Sequence, residues 1–153
     1  RYRVRSWKML ASCIADGQAA LAATPHAQRV VLLGFSMGGA VSIACAGDDR
    51  VHDLVALAPW IPEELAVAPL AGDRVSILHG AIDGWIPGVP GVRPGHSRRG
   101  ADRLRAVGAD VTYRRIPGAV HGVAVRRNGR LVTLPRAGTW LTDVAGALGR
   151  AGL

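Results

Sequence analysis

The sequence predicts an α/β protein of three layers, with a mainly parallel sheet between helices. Short β-branched apolar runs alternate with helical stretches along the chain, the pattern of successive βαβ units. A Gly-x-Ser-x-Gly segment stands directly between one such run and one such helix, where the chain has to turn sharply. Composition agrees: 153 residues, 49% hydrophobic and 20% charged, can build one core and are too apolar for a disordered chain.

Tyr2–Val4 reads as the end of a strand. Ser12 to Ala23 is Ala- and Leu-rich with Ile14 and Leu21 on one face, hence a helix, stopped by Thr24-Pro25. Arg29 to Leu33 (RVVLL) is a continuous apolar run, expected for a strand buried on both faces. After Gly34-Phe35-Ser36-Met37-Gly38-Gly39, the small residues Ala40 to Ala46 predict a tightly packed helix ending at Gly47. Val51 to Leu57 is a second buried strand, Pro62 to Leu65 a short helix, and Val75 to His79 a third strand closed by Gly80. A Pro/Gly-rich loop from Gly84 to Gly95 leads into a charged helix, Ser97 to Val107. Asp110 to Ile116 alternates imperfectly, as at a sheet edge. A loop carrying His121 follows, and Thr139 to Leu148 closes the chain as a helix. No repeat or linker divides residues 1–153, so they are expected to form a single domain.

The chemistry is concentrated after the strands. A turn of the Gly34–Gly38 kind lifts a serine hydroxyl clear of the sheet, and its crowding explains Gly34 and Gly38. The helix that follows points free N–H groups at the serine, so the Met37 N–H is a candidate oxyanion donor. A Walker loop would need a lysine here and a dinucleotide loop a glycine at position 36; neither is present. A hydroxyl nucleophile needs a base, and the base needs an orienting acid. Asp83 lies just past the VSILH strand, at the carboxyl end where sites of open α/β sheets gather. Asp48, Asp49 and Asp53 come too early, and Asp73 precedes its strand. His121 is the one histidine that follows the last strand. His26 and His52 precede strands, His79 reads as packing at a strand end, and His96 as solvated. Phe35, Trp60 and Trp85 are candidate pocket residues, though Trp60 and Trp85 could equally cover the core. Cys13 and Cys45 sit in helical stretches as small buried residues, and no His or Cys pair has metal-ligand spacing; no cofactor is expected.

The net charge of +8 raises the question of nucleic acid. The distribution argues against it: of 19 cationic residues only Lys8 is lysine, the arginine pairs are scattered, and aromatics are 5%, too few for a stacking platform. The composition reads as that of a GC-rich genome. No apolar run approaches the ~20 residues of a membrane helix, and no signal pattern follows Arg1, so the expected location is the cytoplasm.

These segments resemble the α/β-hydrolase family. GFSMGG resembles its nucleophile elbow, HGAID its strand-then-acid segment and PGAVHG its histidine loop, in the family's order. The spacing is similar to that of small, capless members, dienelactone-hydrolase-like or actinobacterial esterase-like; YRVRSW and LAPWIP also resemble stretches of the latter. The resemblance implies a serine hydrolase cleaving a carboxylic ester, thioester or amide through an acyl-enzyme. Ser36 would be the nucleophile, His121 the base, Asp83 the orienting acid and Met37 the oxyanion donor. Dienelactone hydrolases carry cysteine where Ser36 stands. The alternative is an inactive binding or scaffold protein on the same fold. The family's sheet has more strands before the elbow, and the loop after one of them supplies a second oxyanion N–H. The resemblance therefore implies that this chain is the C-terminal catalytic part of a larger domain.

Overall fold

The computed structural model describes residue 3 and residues 7–85 and 91–152. Its centre is a four-stranded parallel sheet in the order β1-β2-β3-β4, made of β1 (Val30–Phe35), β2 (Val51–Leu57), β3 (Arg74–Gly80) and β4 (Asp110–Ile116). Four helices flank it: α1 (Leu10–Ala22), α2 (Met37–Cys45), α3 (Pro94–Ala106) and α4 (Ala137–Arg150).

Strand alternation sorts the core into two layers. Leu54 and Ala56 of β2 and Val75 and Ile77 of β3 face α1, α2 and α3, where Cys13, Ile43, Cys45, Ala101 and Leu104 complete the larger core. Leu78 and Ile116 face the other way, against Trp140 of α4. The three-layer architecture read from the sequence is the one observed.

Several boundaries differ for physical reasons. α2 begins at Met37 rather than Ala40, because the turn at Ser36 is completed within one residue. α3 begins at Pro94 rather than Ser97; proline suits the first helical position, where no N–H is needed. Residues 62–65 are a turn, not the short helix expected. Leu65 N–H closes the turn on Pro62 O (3.1 Å), the Arg103 guanidinium donates to the carbonyls of Pro62 and Leu65, and a 3-10 turn forms at Ala68–Leu70. β1 is not buried on both faces: Leu33 is 52% and Phe35 46% exposed. α4 packs mainly on β2 and β3, and β1 is the edge strand of the sheet among the described residues.

The sequence reading placed no strands after His121. The structure has an antiparallel hairpin there, β5 (Ala124–Arg127) and β6 (Arg130–Thr133). Its turn, Asn128-Gly129, has positive φ at both residues (48° and 78°), the backbone that Asn-Gly supplies in tight hairpins. That dipeptide was the available signal. The strand end expected at Tyr2–Val4 lies outside the described residues, Arg3 apart.

Candidate active site

Ser36 caps the N-terminus of α2 with φ 54° and ψ −117°, a conformation that a residue with a Cβ rarely adopts. Backbone bonds hold the turn: Ser36 N–H donates to Leu57 O (2.8 Å), and Ser36 O accepts from Gly39 (3.0 Å) and Trp60 (3.1 Å). A Cβ on Gly34 would collide with the backbone of Gly38, so the strand and the first helical turn touch directly. Gly39 is crowded as well, since its Cβ would meet Pro59 Cβ at 2.5 Å. The sequence predicts crowding at Gly34 and Gly38; that at Gly39 depends on Pro59, which only the packed turn brings close. Met37 opens α2, and an N–H at the first helical position has no intrahelical acceptor.

Asp83 follows β3 in a turn closed by its own N–H on Gly80 O (3.2 Å), and it is 1% exposed. Its Oδ2 accepts from His121 Nδ1 at 2.6 Å, a short charge-assisted distance. Its Oδ1 accepts the Val92 N–H at 3.1 Å. Burial alone would push this carboxyl up. The hydrogen bonds from His121 and His79, with the charges they can carry, outweigh it and hold Asp83 below the ordinary carboxylate value. Asp83 is thus kept ionised in a dry place.

His121 leaves β4 through Pro117-Gly118, and its side chain is 15% exposed. Gly80 is why the loop lies so close: a Cβ there would stand 2.5 Å from the carbonyl oxygens of Ala119 and Val120. The imidazole packs at 4.8 Å, centroid to centroid, on the ring of Phe35, the residue before Ser36. The structure therefore joins Asp83 to His121 directly and brings His121 beside the elbow. Among the described residues, no hydrogen bond links Ser36 Oγ to His121; such contacts are often loose before substrate is bound.

The pocket candidates separate. Phe35 lines a cavity of about 190 Å³ with Leu57, Gly122, Val123, Ala124 and Trp140. Trp60 is half-buried on the larger core and meets Trp7 edge-on at 6.4 Å. Trp85 is 63% exposed, with the Arg93 guanidinium 4.7 Å from its ring centroid.

Solved structures share this arrangement of strands and helices. SOBER1 of Arabidopsis thaliana is 16% identical and matches with a TM-score of 0.58, over 77% of this chain and 59% of its own. The dienelactone-hydrolase-like promiscuous phosphotriesterase P91, from metagenomic libraries, is 20% identical with a TM-score of 0.62, over 90% of this chain and 62% of its own. The thermophilic esterase Est2 of Thermogutta terrifontis is 18% identical with a TM-score of 0.63, over 95% and 68%. The fold is that of the α/β-hydrolases. The chain spans about three-fifths of the length of SOBER1 and P91. No protein-family model matches the sequence, and no curated protein does. Within this α/β-hydrolase fold, Ser36, Asp83 and His121 all lie past the carboxyl ends of parallel strands, the place where open α/β sheets bind their ligands.

Sequence reasoning missed the loop of residues 91–93. Gly91 has to be glycine because a Cβ would run into Asp83 Oδ1, and Val92 donates to that carboxylate. Nothing local in the sequence signals this, since the loop meets Asp83 only once β3 and α3 are packed.

Proposed function

We propose that this chain is the catalytic part of a serine hydrolase that cleaves a carboxylic ester of a small molecule. The observation that carries the reading is the buried, ionised Asp83 holding His121 Nδ1 at 2.6 Å, with His121 packed beside a strained serine. With Asp83 accepting from Nδ1, the other ring nitrogen, Nε2, is free to act as base. As Ser36 Oγ attacks the ester carbonyl, its proton passes to His121 Nε2. The Met37 N–H donates to the developing oxyanion. Collapse breaks the bond to the alcohol oxygen, which leaves with the proton from His121. Water then repeats the sequence on the acyl-enzyme and releases the acid. The names of fold neighbours support an ester substrate: Est2 is an esterase with butyrate bound, and P91 is a phosphotriesterase.

The same reading extends to the sheet. Among the described residues no strand pairs with the outer edge of β1, and the elbow stands at that edge. We infer that an upstream segment adds a strand there and supplies a second oxyanion donor, so that residues 1–153 act as the C-terminal part of a larger domain. An oxyanion donor is worth about 10²–10³ in rate.

The test is covalent labelling of the full-length protein with a fluorophosphonate probe. Labelling is expected in the wild type and absent in Ser36→Ala and His121→Ala. Equal labelling of wild type and Ser36→Ala would sink the proposal.

A further inference from the structure

We propose that His79 is a positioning residue for the site, acting through Asp83, with Ser97 fixing its orientation. This rests on the catalytic reading above and deepens it.

His79 ends β3, its side chain fully buried, four residues before Asp83. Its Nε2 lies 2.7 Å from Val92 O and 3.1 Å from Asp83 Oδ2. A carbonyl oxygen only accepts, so Nε2 carries a proton. That N–H donates to the carbonyl, and the carboxylate oxygen lies beside it at ion-pair distance. Its other nitrogen, Nδ1, lies 2.6 Å from Ser97 Oγ, itself buried near the start of α3. With His79 neutral, Nδ1 accepts, so the Ser97 hydroxyl donates its one proton there rather than to Pro94 O at 3.1 Å; the Tyr113 hydroxyl of β4, 3.0 Å from both Ser97 Oγ and Pro94 O, donates to one of them. Every polar atom of the ring then has a partner.

The consequence is geometric. Asp83 Oδ2 lies between two imidazoles, His121 at 2.6 Å on the open side and His79 at 3.1 Å on the buried side. The Val92 peptide straddles the buried side: its N–H goes to Asp83 Oδ1 and its C=O accepts from His79. The carboxylate therefore cannot rotate about its terminal bond without breaking its bonds to the 91–93 loop and to His121 and leaving the His79 N–H beside it. The direction in which Asp83 presents Oδ2 to His121 is set from behind, by groups that never reach a substrate.

Three variants of the full-length protein test this. His79→Gln keeps an N–H donor at the place of Nε2, His79→Leu removes it at similar volume, and Ser97→Ala frees the far end of the ring. Two readouts are used. One is kcat and KM on a p-nitrophenyl ester. The other, independent of turnover, is the low-field NMR signal of the His121 Nδ1 proton, assigned by its loss in His121→Asn. His79→Leu is expected to lower kcat about 10–100-fold at nearly constant KM, since misplacing a reacting group by about 1 Å costs on the order of 10². It is also expected to broaden the Nδ1 signal away, with His79→Gln restoring both. If His79→Leu keeps wild-type kcat and signal, the proposal is overturned. It is equally overturned if Gln and Leu lose both in proportion to lost thermal stability, for that is a packing role. Should His79→Leu fail to fold, Ser97→Ala decides: weakening of the Nδ1 signal supports the proposal, and an unchanged signal ends it. A wild type that shows the Nδ1 signal but does not label with fluorophosphonate defeats the hydrolase reading alone, leaving the role of His79 to be read from the NMR arm.

Discussion

Ser36 carries a cost that the rest of the elbow has to support. A side chain at φ 54°, ψ −117° is strained by about 1–3 kcal/mol, and the turn survives because Leu57, Gly39 and Trp60 hold its backbone from three directions. Glycine at this position would relieve the strain while removing the hydroxyl. Ser36→Gly is therefore expected to be more stable than Ser36→Ala by about 1 kcal/mol, with neither variant labelled by a fluorophosphonate. Thermal or urea unfolding of the pair checks it. Equal stability of the two variants would show that the serine conformation is not strained in solution. Strain confined to a reactive residue is expected at a working site, where geometry for chemistry is kept against local preference.

The elements around the site meet through glycines. Gly80 ends β3 because the loop carrying His121 crosses it at backbone contact. Gly80→Ala is expected to destabilise the protein by about 1–3 kcal/mol and to push His121 away from Asp83, so that the proposed hydrolysis of a test ester falls more than α2 helicity changes. Unfolding and activity measured on one preparation would separate the two effects; full activity with lowered stability would show that the loop re-seats. Local syntax made much of this legible. An apolar run, a Gly-x-Ser-x-Gly turn and small residues, in that order, read as a strand, a tight turn and a buried helix. Asp83 and His121 were placed by standing just past strands, and they do meet. What stayed illegible depends on packing between distant segments. The bond from Ser97 to His79 needs α3 laid against β3, and the bond from Val92 to Asp83 needs the 91–93 loop folded back. The exposure of Leu33 and Phe35 goes with the position of β1 at the end of the strand order, which RVVLL alone does not encode. The β5–β6 hairpin differs from these, for Asn128-Gly129 announced it.

Across the whole molecule, buried aspartates fasten both ends of the sheet. At the carboxyl end Asp83 joins β3 to the loops of His121 and Val92. At the opposite end Asp53 of β2, 4% exposed, is clamped by Arg29 before β1 (2.6 Å) and by Arg74 of β3 (2.8 Å), tying three neighbouring segments together. Burial would raise the Asp53 carboxyl, but hydrogen bonds from Arg74 and Arg29 and the attraction of their charges hold it below its ordinary value. Asp83 is depressed in the same direction. A carboxyl whose pKa is lower folded than unfolded binds fewer protons in the native state, so its stabilisation is complete above the unfolded value, near pH 4, and is lost as pH falls through the folded one. The melting temperature is therefore expected to fall steeply below about pH 4. Asp53→Asn should cost about 1–2 kcal/mol at neutral pH, a modest figure because both arginines are half exposed and keep water as a partner. Its acid limb should be shallower, since one proton-linked group has been removed, and its curve should approach the wild type's below about pH 3. Thermal denaturation of both proteins between pH 2 and 7 reads this directly. Parallel curves, offset by the same amount at every pH, would show that Asp53 contributes packing and neutral hydrogen bonding without a proton-linked term, leaving Asp83 and the exposed carboxylates to account for the acid limb.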